Sequence, residues 1–477
     1  MSTYFFGIDV GTQGARAVLV DEKGEVLSSG ARKFILDEKF REEQSPELWW
    51  ENCVLIMDDI MASLPDDFDK NRIQAVSVTS TSGTVIPLDK NNKPLHRGIM
   101  YSDGRSAVQG TRIKDLAQGH VADGYTGFNA SSGISKMLWY VENYPEQTEN
   151  IALWIHASDY IVGKLSGNYK VTDYTNALKS GYDVDKFVWP DYVTEKLGLK
   201  KEWLQEVVPS GTVVGELDKN LATRWGLGGM KVVVGMTDGC ASQVASGAVK
   251  PGDWNTTIGT TLVIKGVTKS KVLDPLGRVY SHRHPEGYWM PGGASNTGAD
   301  WISLDFQSDL AEWNAAATQL IPTGKIAWPL KQEGERYPIQ APKARAIVPE
   351  GISREELYAA NLEGVAFVER LAYEILEDLS GEKINSVYTA GGGSNSDVWL
   401  EIRAAVLNVP VYKCKEASGA FGAAVMAATT TYYGGLTEAA ERMTVKEKEV
   451  FPNPALVQKY EAQYQRFKTK LTELGYL

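Results

Sequence analysis

At 477 residues the chain exceeds what one ordinary core supports, so two or three domains are expected. With 43% hydrophobic and 23% charged residues it has the composition of a globular protein, which excludes long disordered stretches. A net charge of -11 excludes a general nucleic-acid or anionic-membrane surface, although backbone N–H groups and a divalent cation can still hold phosphate locally.

The chain opens as a β-hairpin: Tyr4–Val10 is an apolar strand, residues 15–20 form a second, and Asp21, Glu22, Lys23 and Gly24 supply a turn before Val26 and Leu27 resume the sheet. Ser45, Pro46 and Glu47 then open a helix, with Ser as cap, Pro at the first helical position and acid at the dipole's positive end. A strand over residues 73–79 follows, and alternation of this kind indicates an α/β architecture.

A comparable layout returns past the middle. Residues 231–238 are a buried strand that delivers Asp238 at its carboxyl end, and residues 254–264 form a second hairpin with Gly259 and Thr260 at its bend. A capping box, Ser353 to Glu356, starts a long helix whose apolar positions Leu357, Val365, Val368, Leu371, Ile375 and Leu379 keep roughly helical spacing. Strand Ser386–Ala390 runs into Gly391, Gly392, Gly393 and Ser394. Two hairpin-led halves predict a duplicated fold with a cleft between them, divided as residues 1–247 and 248–477.

Four segments carry chemistry. In the first, Asp9, Gly11, Thr12 and Gln13, a glycine beside a threonine lets backbone N–H groups and a hydroxyl turn toward phosphate oxygens. Asp9, at a strand end, suits a hydrated magnesium ion. Gly259, Thr260 and Thr261 repeat the device in the second half, so that the pair can embrace a triphosphate. Gly391, Gly392 and Gly393 allow close backbone approach to a flat or anionic ligand, against the plainer reading of a tight connection that needs positive φ. Asp238 can take a proton from a substrate hydroxyl, where a helix-capping role is the plainer reading. The small residues 416–424 read as close helix packing rather than as a ligand site.

Cys53, Cys240 and Cys414 lie far apart with no metal-type spacing, which argues against a disulfide framework or structural zinc. Apolar runs fall far short of the ~20 residues of a membrane span. The opening residues do not read as a secretory leader, and the expected address is the cytoplasm.

The ordered set of motifs resembles the FGGY carbohydrate kinase family over nearly the whole chain. It comprises Asp9 to Thr12, Tyr101 to Arg105, Lys136 to Trp139, Thr172 to Ala177, Asp238, Gly259 to Thr261, Gly334 to Arg336 with Pro338, and Gly391 to Gly393 with Trp399. The resemblance implies two ribonuclease H-like, actin-type domains closing over ATP and a sugar. It implies Asp238 as general base, Asp9 near magnesium and the sugar, Thr12 and Gln13 with Gly259, Thr260 and Thr261 at the phosphates, and Gly392 and Gly393 at adenosine. Ser396, where many members have Asn, is carried among the nucleotide contacts; Ala405 and Asn408 replace an Asp and a Gly, and Tyr101 stands where Trp is usual.

Substrate choice follows by exclusion. The stretch Ser80 to Val85 lacks the histidine of xylulose kinases and the Arg-Glu pair of glycerol kinases, and its small hydroxyl-rich character is closer to D-ribulose kinase-like members. Ser82 and Asp103 are the expected sugar contacts, with Arg105 structural, and D-xylulose or another ketose or polyol is the alternative. The expected partners are the sugar, ATP and ADP, with a homodimer allowed and neither nucleic acid nor membrane. An actin- or chaperone-like ATPase and a regulator with dead chemistry are the readings of other classes. The first lacks an obvious extra domain, and the second is disfavoured by the retained Asp9, Thr12 and Asp238.

Overall fold

The computed structural model describes residues 2–120, 125–307 and 309–477. Its contacts group Met1–Ala245, His282–Gly287 and Glu416–Val445 into one unit, and Ser246–Ser281, Tyr288–Lys415 and Lys446–Leu477 into another. A single cut at 247/248 therefore does not describe the division, because residues 416–445 return to the first unit.

In the first unit, β1 (Tyr4–Val10), β2 (Gly14–Asp21), β3 (Val26–Lys33), β4 (Ile73–Ser80), β5 (Val213–Glu216) and β6 (Lys231–Thr237) form a sheet in the order β3-β2-β1-β4-β6-β5. The outer pairs are antiparallel, while β1–β4 and β4–β6 are parallel. The central strands read as near-continuous apolar runs because helices cover both faces. In the second unit, β7 (Asp253–Ile258), β8 (Leu262–Gly266), β9 (Trp289–Ser295), β10 (Ser386–Ala390), β11 (Val411–Cys414) and β12 (Lys446–Val450) lie in the order β9-β8-β7-β10-β11-β12. Their directions repeat those of the first sheet strand for strand. The duplication expected from the two hairpins is thus a duplication of topology.

The helices are α1 (Pro46–Ser63), α2 (Tyr174–Leu178), α3 (Asp238–Ala245), α4 (Arg354–Ser380), α5 (Asp397–Leu407) and α6 (Gly419–Thr429), among others. Helix α1 begins as its sequence predicts, with the Ser45 hydroxyl accepting from the Leu48 N–H and Pro46 in the first turn. The capping box of α4 is formed in both directions, Glu356 N–H to Ser353 Oγ at 3.1 Å and Ser353 N–H to Glu356 Oε2 at 2.9 Å. All of α6 is buried, and it packs on β1 and α3. A Cβ on Gly7 would lie 1.9 Å from the Ala420 carbonyl oxygen, and one on Gly422 would lie 2.0 Å from that of Ala241. The small residues of α6 are there for close packing, as their composition suggested.

A smaller four-stranded sheet in the first unit joins Glu43–Gln44, Gly98–Ile99, Val85–Leu88 and Leu153–His156. Residues 80–84 lead into its strand Val85–Leu88, and residues 101–105 leave its strand Gly98–Ile99. Each unit has its own apolar core: Phe6, Trp49, Ile60 and Val232 belong to that of the first, and Trp254, Phe367, Trp399 and Tyr464 to that of the second. Among the described residues, no helix is long and apolar enough to cross a membrane.

Candidate active site

Two strand ends in the first unit each deliver a carboxylate. β1 carries Asp9 one residue before its end, and β6 hands over to α3 at Asp238. Asp9 is pushed up to about 7, first by burial and then by the negative charge of Asp238, against the pull of the Arg16 guanidinium. The two predicted carboxylates thus act on one another. Asp238 Oδ1 accepts the Gly239 N–H at 2.7 Å.

Arg16, which motif reading did not single out, acts on Asp9. The turn closes with Gly11 N–H donating to the Gly14 carbonyl at 2.9 Å, and this register sets Asp9 directly opposite Arg16 on β2. The signal was in the sequence: a turn at Thr12 and Gln13 puts residues 9 and 16 in cross-strand register. Thr12 is half-buried and Gln13 exposed. Both line, with Asp9 and Tyr101, a cavity of about 620 Å³ whose other lining residues include Arg16, Arg32, Lys33 and Arg41.

Of the expected sugar contacts, Ser82 Oγ is out of water and has no hydrogen-bond partner in the protein, and the same holds for Ser80 Oγ. Such hydroxyls are costly unless a ligand or water engages them. Asp103 is different. It is 1% exposed, and its two oxygens accept from the Arg105 N–H at 2.7 Å and Arg105 Nε at 2.6 Å. Buried Lys136 is lowered to about 7 by desolvation, against the attraction of Asp103, and its ammonium donates to the Ala130 carbonyl.

In the second unit, Gly259, Thr260 and Thr261 form the bend between β7 and β8. Gly259 N–H donates to the Thr261 carbonyl at 3.0 Å, and the Gly259 carbonyl accepts from Ala299 N–H at 2.8 Å. A Cβ on Gly298 would meet the Thr260 carbonyl oxygen at 2.4 Å, so the neighbouring loop cradles the bend. Glu335, from the Gly334 to Arg336 motif, holds that loop by accepting from Ser295 Oγ, Asn296 N–H and Thr297 Oγ1 at 2.7, 2.6 and 2.9 Å.

The glycine run divides by role. Gly391 sits at φ 82°, where a Cβ would come 2.5 Å from the Ile258 carbonyl oxygen, and a Cβ on Gly393 would press on Ile258 and Trp399 at 2.9 Å. Those two are required by the chain's own packing, while Gly392 is exposed and faces open space. The Ser396 hydroxyl is occupied: it caps α5 by accepting from Trp399 N–H at 3.3 Å and donates to Asn314 Oδ1 at 2.7 Å. The sequence expectation of nucleotide contacts at Gly393 and Ser396 therefore meets a structural role at each.

Among the described residues, no cluster of three or more His, Cys, Asp or Glu could hold a metal ion. Magnesium needs no such cage, since it keeps several waters and shares its remaining positions with substrate phosphates. The Asp9 carboxylate, with Asp238 near it, fits that demand.

The N-terminal domain profile of the FGGY family of carbohydrate kinases matches residues 4–245, and the C-terminal profile matches residues 254–431. A xylulose kinase of Bacillus subtilis is 25% identical, with 98% of this chain and 97% of that protein covered. A gluconokinase of Bacillus licheniformis is 27% identical over 86% and 84% of the two. The solved xylulose kinase from Rhodospirillum rubrum superposes with a TM-score of 0.86 at 23% identity, covering 99% of each chain, and so shares the fold. Glycerol kinase from Plasmodium falciparum, solved with ADP, does so at 0.84 and 18% identity over 98% of each chain. Readings as a non-enzymatic regulator or a sugar-independent ATPase are thereby set aside. The chain belongs to the FGGY family of carbohydrate kinases, and it is a sugar kinase that uses ATP.

Proposed function

We propose that this kinase phosphorylates a ketopentose, D-ribulose or D-xylulose, with Asp238 as the general base. The supporting observation is the mutual charge of Asp9 and Asp238, two carboxylates at strand ends of which one is held near 7. Asp238 accepts the proton of the acceptor hydroxyl as that oxygen bonds to the γ-phosphorus. The bond from the γ-phosphorus to the bridging oxygen breaks, and ADP leaves with its electron pair. Within the first unit, Arg16 and Thr12 are proposed phosphate contacts; within the second, taken by itself, the Gly259, Thr260 and Thr261 bend and exposed Gly392 are proposed nucleotide contacts. Asp9 would hold the waters of a magnesium ion, which neutralises phosphate charge when bound. Ser82, with its unpartnered hydroxyl, is the proposed sugar contact. Asp103, the other expected sugar contact, has both carboxylate oxygens engaged by Arg105.

A second reading has a specific observation behind it. The cavity beside Asp9 is lined by Arg16, Arg32, Lys33 and Arg41, an excess of cations in a chain of net charge -11. Such a lining suits an acceptor that carries a carboxylate, and gluconokinases are among the relatives. ADP release measured over D-ribulose, D-xylulose, glycerol and D-gluconate separates the readings, and NMR of the product assigns the phosphorylated hydroxyl. Highest kcat/KM on a ketopentose is expected. Preference for gluconate would replace the ketopentose reading, and preference for glycerol would remove both.

A further inference from the structure

Between β4 and β6 the parallel ladder runs in register from Lys231 opposite Ala75 to Val234 opposite Val78. It then slips, so that Thr237 lies opposite Ser80. The extra residue is a bulge, and bulges beside active sites re-aim the side chains that follow them. Gly235 allows it, since a Cβ there would lie 2.0 Å from the Val78 carbonyl oxygen. The peptide joining Met236 to Thr237 is held instead by side chains. Thr79 Oγ1 donates to the Met236 carbonyl at 2.7 Å, and the Thr237 N–H donates to Thr175 Oγ1 at 2.9 Å.

The direction of this chain of bonds is forced. An N–H can only donate, so Thr175 must accept from Thr237, and its one hydroxyl proton is left for Asp173 Oδ2 at 2.7 Å. Asp173 is a full acceptor hub. It also takes the Thr175 and Asn176 N–H groups, Asn176 Nδ2 and Ser210 Oγ. Thr79, Asp173 and Thr175 are all 0% exposed, so neither water nor a substrate can substitute for these bonds. Donation to a carboxylate strengthens the hydroxyl as an acceptor in turn.

We infer that Thr175 and Thr79, with Asp173 behind Thr175, are positioning residues for phosphoryl transfer: they fix both ends of the peptide from which Asp238 enters α3. The inference rests on the reading of Asp238 as base. None of the three touches the reacting atoms. Their effect is on where the carboxylate stands, and misplacement of a catalytic group by 1 Å can cost about 100-fold in rate.

The experiment compares Thr175→Val, Thr175→Ser and Thr79→Val with Asp238→Asn and the double variant Thr175→Val/Asp238→Asn. Steady-state kinetics use ATP and the acceptor found in the sugar panel. Thr175→Val keeps shape and loses the hydroxyl; it should lower kcat by about 100-fold and leave both KM values within about threefold. Thr175→Ser should restore kcat to within about threefold. In the Asp238→Asn background, Thr175→Val should cause no further loss, because its effect runs through that carboxylate. Thr79→Val should show the same split, and it carries the test if Thr175→Val yields no folded protein. A kcat within about threefold of wild type for the valine variants, or a loss that adds in full to that of Asp238→Asn, overturns the positioning role. Near-normal kcat in Asp238→Asn would instead overturn the base itself, so the two failures are distinguishable.

Discussion

A carboxyl group kept near neutrality, such as Asp9, has a consequence for stability as well as for chemistry. Its folded pKa of about 7 lies above its ordinary 3.8, so the native state binds a proton more tightly than the unfolded chain. The stability this contributes is complete below about pH 3.8 and is lost as pH rises through about 7. Above that, native Asp9 is an ionised group close to Asp238, relieved only in part by Arg16. Asp9→Asn should therefore gain on the wild type as pH rises from 5 to 8, by about 3 kcal/mol at most, since only about two pH units of that interval lie below the folded value of about 7 and each is worth about 1.4 kcal/mol. Urea midpoints of both proteins at the two pH values check this. Parallel behaviour across that range would show that burial and Asp238 do not bear on Asp9 as described. The same substitution should cost activity, a trade of stability for function often found at charged sites.

Among the elements, what was legible in the sequence followed local rules. β1 and β10 have the limits predicted for them, and the capping box of α4 forms as written, because strand apolarity and cap chemistry act over a few residues. The opening turn even encodes the Asp9 and Arg16 pairing. The short strands Val85–Leu88 and Leu153–His156 escaped notice because each is defined by a partner far along the chain. So did the bond from Thr237 to Thr175, which spans 62 residues. The pair Arg403 and Glu369 belongs to the same class. Arg403 on α5 reaches Glu369 on α4 through two bonds, 2.7 and 2.8 Å, with both side chains fully buried, and it donates a third to Thr389 Oγ1 on β10 at 2.6 Å. Glu369→Gln would strand a buried guanidinium and should cost about 3–5 kcal/mol in urea unfolding. Glu369→Leu combined with Arg403→Met should recover most of it, because a well-packed apolar pair also avoids the desolvation cost. A loss below about 1 kcal/mol in Glu369→Gln would mean that the cation finds water or another acceptor.

At the scale of the molecule, two copies of one sheet topology share a chain that does not divide at a single point. The hairpins announced the repeat, but they could not announce that α6, beyond residue 415, completes the first unit rather than the second. The reason lies in fit. α6 is 11 residues long and buried throughout, and the backbone of Ala420 occupies the space above Gly7 on the central strand β1. A chain ended at residue 247 would keep all six strands of the first sheet but would leave the face of β1 that α6 covers open to water. Uncovered apolar area costs about 25 cal/mol per Å², and a face of this kind also invites association. Residues 1–247 alone should therefore form soluble aggregates or unfold without a cooperative transition, read by gel filtration and near-ultraviolet circular dichroism. Residues 1–247 fused through a flexible linker to residues 416–445 should regain a cooperative transition, because the linker supplies the missing helix at high effective concentration. A monomeric 1–247 fragment with a sharp transition would show that the first unit needs no returning helix, and the glycines at positions 7 and 422 would then have to be explained by something other than the packing of α6.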